Sequence, residues 1–325
     1  MITVSEQTEL DNMNDITNPE LRQLYIGGID AGKLMRVNGY PNGKPYHVYQ
    51  EKTGKRLPPN LEDNDAVEMG KRLEPFVADV YVERTGNKVR RINRTLVHPE
   101  HDFIRGHIDR KLENKNAGLE VKTVGLRTAY EWGLEGTDQI PLNYLYQVLH
   151  YIAITGYDYF DIAALFYGQE FRLYKVRRED HEEKIAELIE RERKFWLEHI
   201  EPDIPPMPES GDEAIAAYPD SEPGETAYLD DSKKYLVTVC HNLTEEIKEK
   251  KDKLDEVQTE LKNEMGEAET LEDSSGFQVC TWKSSSSTRL DTKRALKERP
   301  ELIDEFPAIS TMRTFRLKRR RDEDE

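Results

Sequence analysis

The chain has 325 residues, enough for one sizeable core plus an accessory module. With 36% hydrophobic and 34% charged residues the composition fits a protein with a highly charged surface, and no run comes near the roughly 18 apolar residues that a membrane-spanning helix needs. A formal charge of −17 argues against tight nonspecific binding to nucleic acid, and two cysteines, Cys240 and Cys280, are too few for a disulfide framework or a four-thiolate cluster.

Residues 1–20 are polar and predict a flexible N-terminus without a basic, apolar leader, consistent with a cytoplasmic protein. Glu62–Thr85 reads as a helix, with Val67, Leu73, Val77, Val80 and Tyr81 on one apolar side and Gly86-Asn87 as its stop. Strand-like segments follow near 88–97, 102–109 and 117–123, the last two joined by a turn at Glu113-Asn114-Lys115-Asn116. Leu142–Thr155 is a helix ended by Gly156, and Asp161–Tyr167 with Phe171–Val176 forms a hairpin around Gly168-Gln169. An amphipathic helix over Arg178–His199 closes a domain spanning 21–200. Prolines and acids between 201 and 227 read as a linker. From 228 to 325 an accessory module offers a helix, Thr244–Met265, with a short coiled-coil seam, a strand at Phe277–Lys283, a short helix from Asp291 and a charged tail.

The acid is concentrated in 208–230, 244–273 and the last four residues, while basic runs stand out at Lys88–Arg94 and Arg316–Arg321. Net charge therefore leaves room for a basic groove or channel.

The passage with most chemistry is Gly106-His107-Ile108-Asp109-Arg110, then ten residues later Glu120-Val121-Lys122. Side chains alternate along a strand, so Glu120 and Lys122 share a face and Val121 points into the core. In a hairpin, Asp109 approaches Glu120. Two facing carboxylates repel unless a cation separates them, and Mg²⁺, which takes carboxylate, carbonyl and water oxygens, suits that role. Such a cation activates water and neutralises charge developing on a phosphodiester, with Lys122 beside it. Taken alone the pattern is common in ordinary charged hairpins. Its company is what gives it weight. Glu74 lies in the preceding helix, Gln147 and Tyr151 sit four apart on one helix face, and Arg22 precedes a Gly27-Gly28 pair whose N–H groups are suited to an anion. No Lys-Ser/Thr follows those glycines, which excludes a Walker loop.

In order along the chain, Ile26-Gly27-Gly28-Ile29-Asp30-Ala31-Gly32, Gly70-Lys71-Arg72-Leu73-Glu74-Pro75, Gly106–Arg110, Leu119–Thr123 and Gln147–Tyr151 resemble the YqaJ-type viral recombinases. These are relatives of phage lambda exonuclease in the PD-(D/E)xK nuclease superfamily. The resemblance covers roughly residues 20–200. It implies an α/β fold with a restriction-endonuclease-like core, a central mixed sheet flanked by helices. It implies a Mg²⁺-dependent DNA exonuclease, with Mn²⁺ as a substitute, encoded by a phage or prophage and acting in recombination in a bacterial cytoplasm. Glu74, Asp109, Glu120 and the Val121 carbonyl would hold metal, and Lys122, Gln147 and Tyr151 would complete the catalytic set. Arg22, Asp30, His107 and Arg110 would contact DNA or phosphate. Double-stranded DNA ends, a single-strand annealing protein and a homotrimeric assembly are the implied partners. Ile29 stands where the family commonly has Ser, removing a hydroxyl from the 5′-end pocket. A structure-selective or nicking endonuclease and a non-catalytic DNA-end scaffold remain rival readings.

Overall fold

A five-stranded mixed sheet organises the first part of the chain. Its spatial order is β1 (Val89–Arg90), β4 (Arg110–Leu112), β5 (Ala117–Val124), β6 (Tyr159–Phe166) and β7 (Glu170–Arg177), while β2 (Leu96–Val97) and β3 (Arg105–Gly106) pair separately. β5 and β6 run parallel, and the other neighbours in the sheet are antiparallel. The computed structural model describes residues 19–37, 39, 43–57, 64–307 and 313–318. The loose N-terminus expected over 1–20 and the end of the charged tail lie almost wholly outside the described residues.

Helices cover both faces of the sheet. The helix preceding the strands, α4 (Asp65–Thr85), follows three short ones: α1 (Pro19–Arg22), α2 (Gly28–Leu34) and α3 (Pro45–Lys52). Asn64 caps α4 by accepting from the Ala66 and Val67 N–H groups, and Gly86 ends it with a left-handed φ of 69°. Its Val77, Ala78 and Tyr81 pack on Leu119, Val121 and Ala163 of the sheet. On the opposite face α5 (Leu142–Thr155) buries Val148, Leu149 and Ile152 against Phe160, Ile162 and Phe166. Each such aliphatic side chain contributes about 1.5–3 kcal/mol of burial. α5 is also the crossover that lets β5 and β6 run parallel, as parallel neighbours require a long connection. The hairpin β6–β7 and the helix α6 (Glu182–Phe195), which continues as a π-turn over Trp196–Ile200, complete this layer.

Two expectations are corrected. The strand expected over 102–109 is instead the two-residue β3, an isolated bridge from Ile104 to Ile26, and β4 beginning at Arg110. The β4–β5 ladder starts at Arg110 opposite Leu119 because the Asp109 carboxylate takes the Val121 N–H, at 2.8 Å, that a backbone carbonyl would otherwise accept. The segment 201–227 is not uniformly a linker. Asp203 accepts from Tyr49 Oη, and α7 (Gly211–Ala217) sets a fully buried Glu213 on the Tyr46 N–H and on Arg36, each at 3.0 Å. Acids in a Pro-rich stretch read as solvated, but these two are held by donors from the first domain. The chain folds as two compact units, Met1–Tyr218 and Pro219–Glu325.

In the second unit the long helix α8 (Tyr235–Met265) begins nine residues before the expected Thr244. It is followed by a two-stranded sheet of β8 (Thr270–Glu272) and β9 (Gln278–Thr281), of which only the second strand was expected. Asp291 caps the short helix Thr292–Glu298 as its position suggested.

Candidate active site

Strand alternation places Leu119 and Val121 toward α4, and so sends Glu120 and Lys122 to the other face, beneath α5. The Lys122 ammonium bonds Glu120 Oε1 at 2.7 Å and Gln147 Oε1 at 3.0 Å, and lies 4.7 Å from the centre of the Tyr144 ring. Gln147 in turn donates to the Tyr151 hydroxyl at 2.9 Å. Four of the five expected catalytic residues thus form one connected chain. The fifth, Asp109, joins it through the Val121 N–H, opposite Glu120 across the end of the ladder.

The electrostatics of this cluster are those of a site short of positive charge. Burial and the facing Glu120 push the Asp109 carboxyl up to about 8, against the pull of Lys122 and the Val121 N–H. Burial would draw the Lys122 ammonium down, but Glu120 and Asp109 outweigh it and hold it above its usual value. Glu120 is 3% exposed, and its second oxygen, Oε2, is buried with no hydrogen-bond partner. Buried carboxylate oxygens are ordinarily satisfied by donors or by a cation, so the donor set fits a hard divalent ion. The N–H and C=O of one strand residue face the same edge, which aims the Val121 carbonyl toward the Asp109 side. Burial and the charge of Glu120 keep the Tyr151 hydroxyl protonated.

Glu74 is placed differently from the expected acidic cluster. Its Oε1 is taken by Arg110 at 2.6 Å and by Arg91 at 3.1 Å, although its charge still reaches Asp109. Among the described residues no three His, Cys, Asp or Glu side chains converge on one point. Arg110 is 7% exposed and engaged with Glu74 and the Asp109 carbonyl rather than open to a phosphate. His107 lies 3.0 Å from Thr95 Oγ1, and burial and nearby Arg22 lower its pKa. Arg22 is exposed, and its charge reaches Tyr151 as well. Arg22 is thus within electrostatic reach of both His107 and Tyr151.

The glycine-rich segment serves packing more than anion binding. The Gly27 N–H, expected to be open to an anion, donates to Asp30 Oδ2 at 3.0 Å. Asp30 is itself buried against Lys52 at 2.7 Å and Lys33 at 3.7 Å; burial alone would raise its pKa, but the two lysines hold it down to about 2. Gly28 leaves room for an aromatic ring, since a Cβ there would stand 2.7 Å from Tyr151. Gly106 does the same from β3, with a Cβ position 3.0 Å from Tyr151. Ile29 is 59% exposed on α2.

Sequence reasoning missed Tyr144, whose ring supports Lys122. Tyr144, Gln147 and Tyr151 recur at helical spacing on one face, a signal that was present to be read. It also missed His150, fully buried between Glu192 Oε1 at 2.8 Å and the Arg105 carbonyl at 2.9 Å. Nothing in the local sequence of His150 marks its partner, 42 residues away.

Residues 19–158 match the family model of the YqaJ-like viral recombinase domain. Every member of the connected cluster, from Asp109 to Tyr151, falls inside those bounds. The similarity also extends past the domain. The uncharacterized protein YqaJ of Bacillus subtilis (strain 168) is 29% identical over 303 residues, covering 91% of this chain and 92% of the relative. Among solved structures, the alkaline exonuclease LHK-Exo of Laribacter hongkongensis matches with a TM-score of 0.45 at 18% identity, covering 56% of this chain and 91% of its own. A phage related exonuclease from Haemophilus somnus 129PT matches with a TM-score of 0.39 at 14% identity, covering 59% of this chain and 100% of its own.

Proposed function

We propose that this protein is a Mg²⁺-dependent deoxyribonuclease that degrades duplex DNA from its ends, 5′ to 3′, in phage-type recombination with a single-strand annealing partner. The observation that carries the reading is the pair of buried, mutually repelling carboxylates, Asp109 and Glu120, with Glu120 Oε2 unpartnered and Lys122 alongside. Asp109, Glu120 and the Val121 carbonyl would hold the cation, which when bound supplies the charge that activates water and offsets charge building on the phosphodiester. Mn²⁺ accepts the same oxygen ligands. Lys122, kept charged by its neighbours, stabilises the phosphate in the transition state, and Gln147 fixes its ammonium. Tyr151 keeps its proton and so acts as a neutral donor, while the charge of Arg22, which reaches both His107 and Tyr151, would attract the strand's phosphates. Asp30 and Arg110 hold the frame of this site rather than touch DNA.

The test is digestion of linear duplex DNA labelled at one 5′ end, beside the same sequence as a closed circle, with Mg²⁺ and with EDTA. Loss of the linear form alone, abolished by EDTA and by Lys122→Ala, is the expected result, with the order of label release giving polarity. Cutting of the circle would make the protein an endonuclease. Wild-type rates in Lys122→Ala, or binding of ends without cleavage of either substrate, would overturn the assignment.

A further inference from the structure

The second unit contains a surface that the nuclease reading leaves without a role. α8 is 31 residues long, about 46 Å at 1.5 Å per residue, and one apolar stripe runs along it in a strict seven-residue repeat. Cys240, Ile247, Leu254 and Leu261 occupy the first core position of successive heptads. Leu236, Leu243, Lys250 and Val257 occupy the second. The stripe is bare: Leu243 is 50% exposed, Ile247 53% and Leu254 56%. Four heptads at this period are the pattern of a helix that buries its seam against another helix.

We propose that α8 pairs with α8 of a second copy of this chain as an antiparallel two-stranded coiled coil. Lys250 decides both the occupant and the direction. In a parallel, in-register pair the two Lys250 side chains would face each other across one core layer, and like charges opposed in a seam are strongly disfavoured. Reversing one helix removes that clash. Each Lys250 then lies opposite Ile247 of the second copy, and its ammonium comes beside Glu246 of that copy. The remaining layers all become apolar: Leu236 with Leu261, Cys240 with Val257, and Leu243 with Leu254, each occurring twice by symmetry. The flanking charges agree with this register, since Glu246 meets Lys253 of the second copy twice, by symmetry, along one flank of the seam. The helix is therefore complementary to its own reverse. This pairing stands apart from the nuclease reading, and neither depends on the other.

Cys240 makes the register measurable, because a disulfide forms only where Cβ atoms stand about 3.5–4.5 Å apart. The full chain carrying Cys280→Ser, to leave Cys240 as its single thiol, is oxidised with diamide and run on a denaturing, non-reducing gel. In the antiparallel pair Cys240 faces position 257, so this variant stays single-chain. Adding Val257→Cys yields a linked dimer that dithiothreitol dissolves. Separately, Leu243→Asp, on an exposed position, halves the mass measured by sedimentation and leaves cleavage of linear DNA unchanged. Linking through Cys240 in the Cys280→Ser chain would show a parallel pair and overturn the proposal. So would an unlinked Val257→Cys/Cys280→Ser chain, or an unchanged mass in Leu243→Asp.

Discussion

At the scale of single residues, the site is held in a strained electrostatic state by its own composition. Asp109 and Glu120 are buried face to face, and Lys122 supplies one positive charge for two carboxylates. Such an arrangement costs stability in the metal-free protein, and on the proposed reading a bound cation would restore it. Asp109→Asn removes a carboxyl that folding forces to take up a proton, its pKa being pushed up to about 8, and keeps an oxygen to accept from the Val121 N–H. The substitution should therefore stabilise the metal-free protein by about 1 kcal/mol, or roughly 2–4 °C in the melting temperature of a unit this size. Melting curves in EDTA and in Mg²⁺ check this. Wild type should rise in melting temperature with Mg²⁺, whereas Asp109→Asn should start higher in EDTA, gain little from the metal and lose cleavage. A variant less stable than wild type in EDTA would mean that the carboxylate is structural. The identity of this pair was legible because strand alternation and a ten-residue hairpin fix which side chains meet. The opposite holds for Asp30 and Arg110. Their role depends on Lys52 and Glu74, partners that no local spacing announces, so resemblance assigned them to DNA while the fold spends their charge on ion pairs.

At the scale of elements, the parts legible in advance were those with local punctuation. Gly156 ends α5, Gly86 ends α4, and Gly168 turns the β6–β7 hairpin with a φ of 72°. The unreadable parts were long-range: the parallel pairing of β5 with β6, and the strut joining α5, α6 and β3. That strut is the buried pair of His150 and Glu192. Both imidazole nitrogens face oxygen acceptors, the Glu192 carboxylate and the Arg105 carbonyl, so the ring is held as its cation. Burial would lower the His150 pKa, but Glu192 outweighs it and raises it above 6.5. Burial also raises Glu192, so both shifts say that the folded pair keeps its proton to higher pH than the unfolded chain does. The contribution of His150 is thus fully present below about pH 6.5 and is lost as pH rises through the higher native value. Urea denaturation from pH 6 to 9 should show wild-type stability falling by at most about 1.4 kcal/mol per pH unit above that point. The double variant His150→Gln/Glu192→Gln, which carries no ionisable group there, should lose that slope. An identical slope in both proteins would assign the pH dependence to other groups.

At the scale of the whole molecule, the question is where the first unit ends, and composition and packing give different answers. A boundary at residue 200 follows from the prolines and acids that come next, whereas the fold keeps 203–217 on α3. The decisive residue is Glu213, fully buried, which accepts from Tyr46, Arg36, the Glu209 N–H and Ser210 at 3.0 Å each. Burial alone would raise its pKa, but the Tyr46 N–H and Arg36 among its donors hold the carboxyl below the usual range, so it stays ionised where it sits. Removing it leaves the buried Tyr46 N–H without its acceptor, at about 1–3 kcal/mol, and takes from Arg36 one of its two carboxylate partners, the other being Glu209 at 3.1 Å. A chain ending at Tyr218 should therefore unfold in one cooperative step, keep its Mg²⁺-dependent rise in melting temperature and, lacking α8, sediment at the mass of its first-unit assembly alone. A chain ending at Ile200 should unfold at clearly lower urea, with exposed apolar surface around Val48 and Tyr49 reported by dye binding. Equal midpoints for the two chains would mean that 203–217 lies on the first unit without stabilising it, and that the compositional boundary is the physical one.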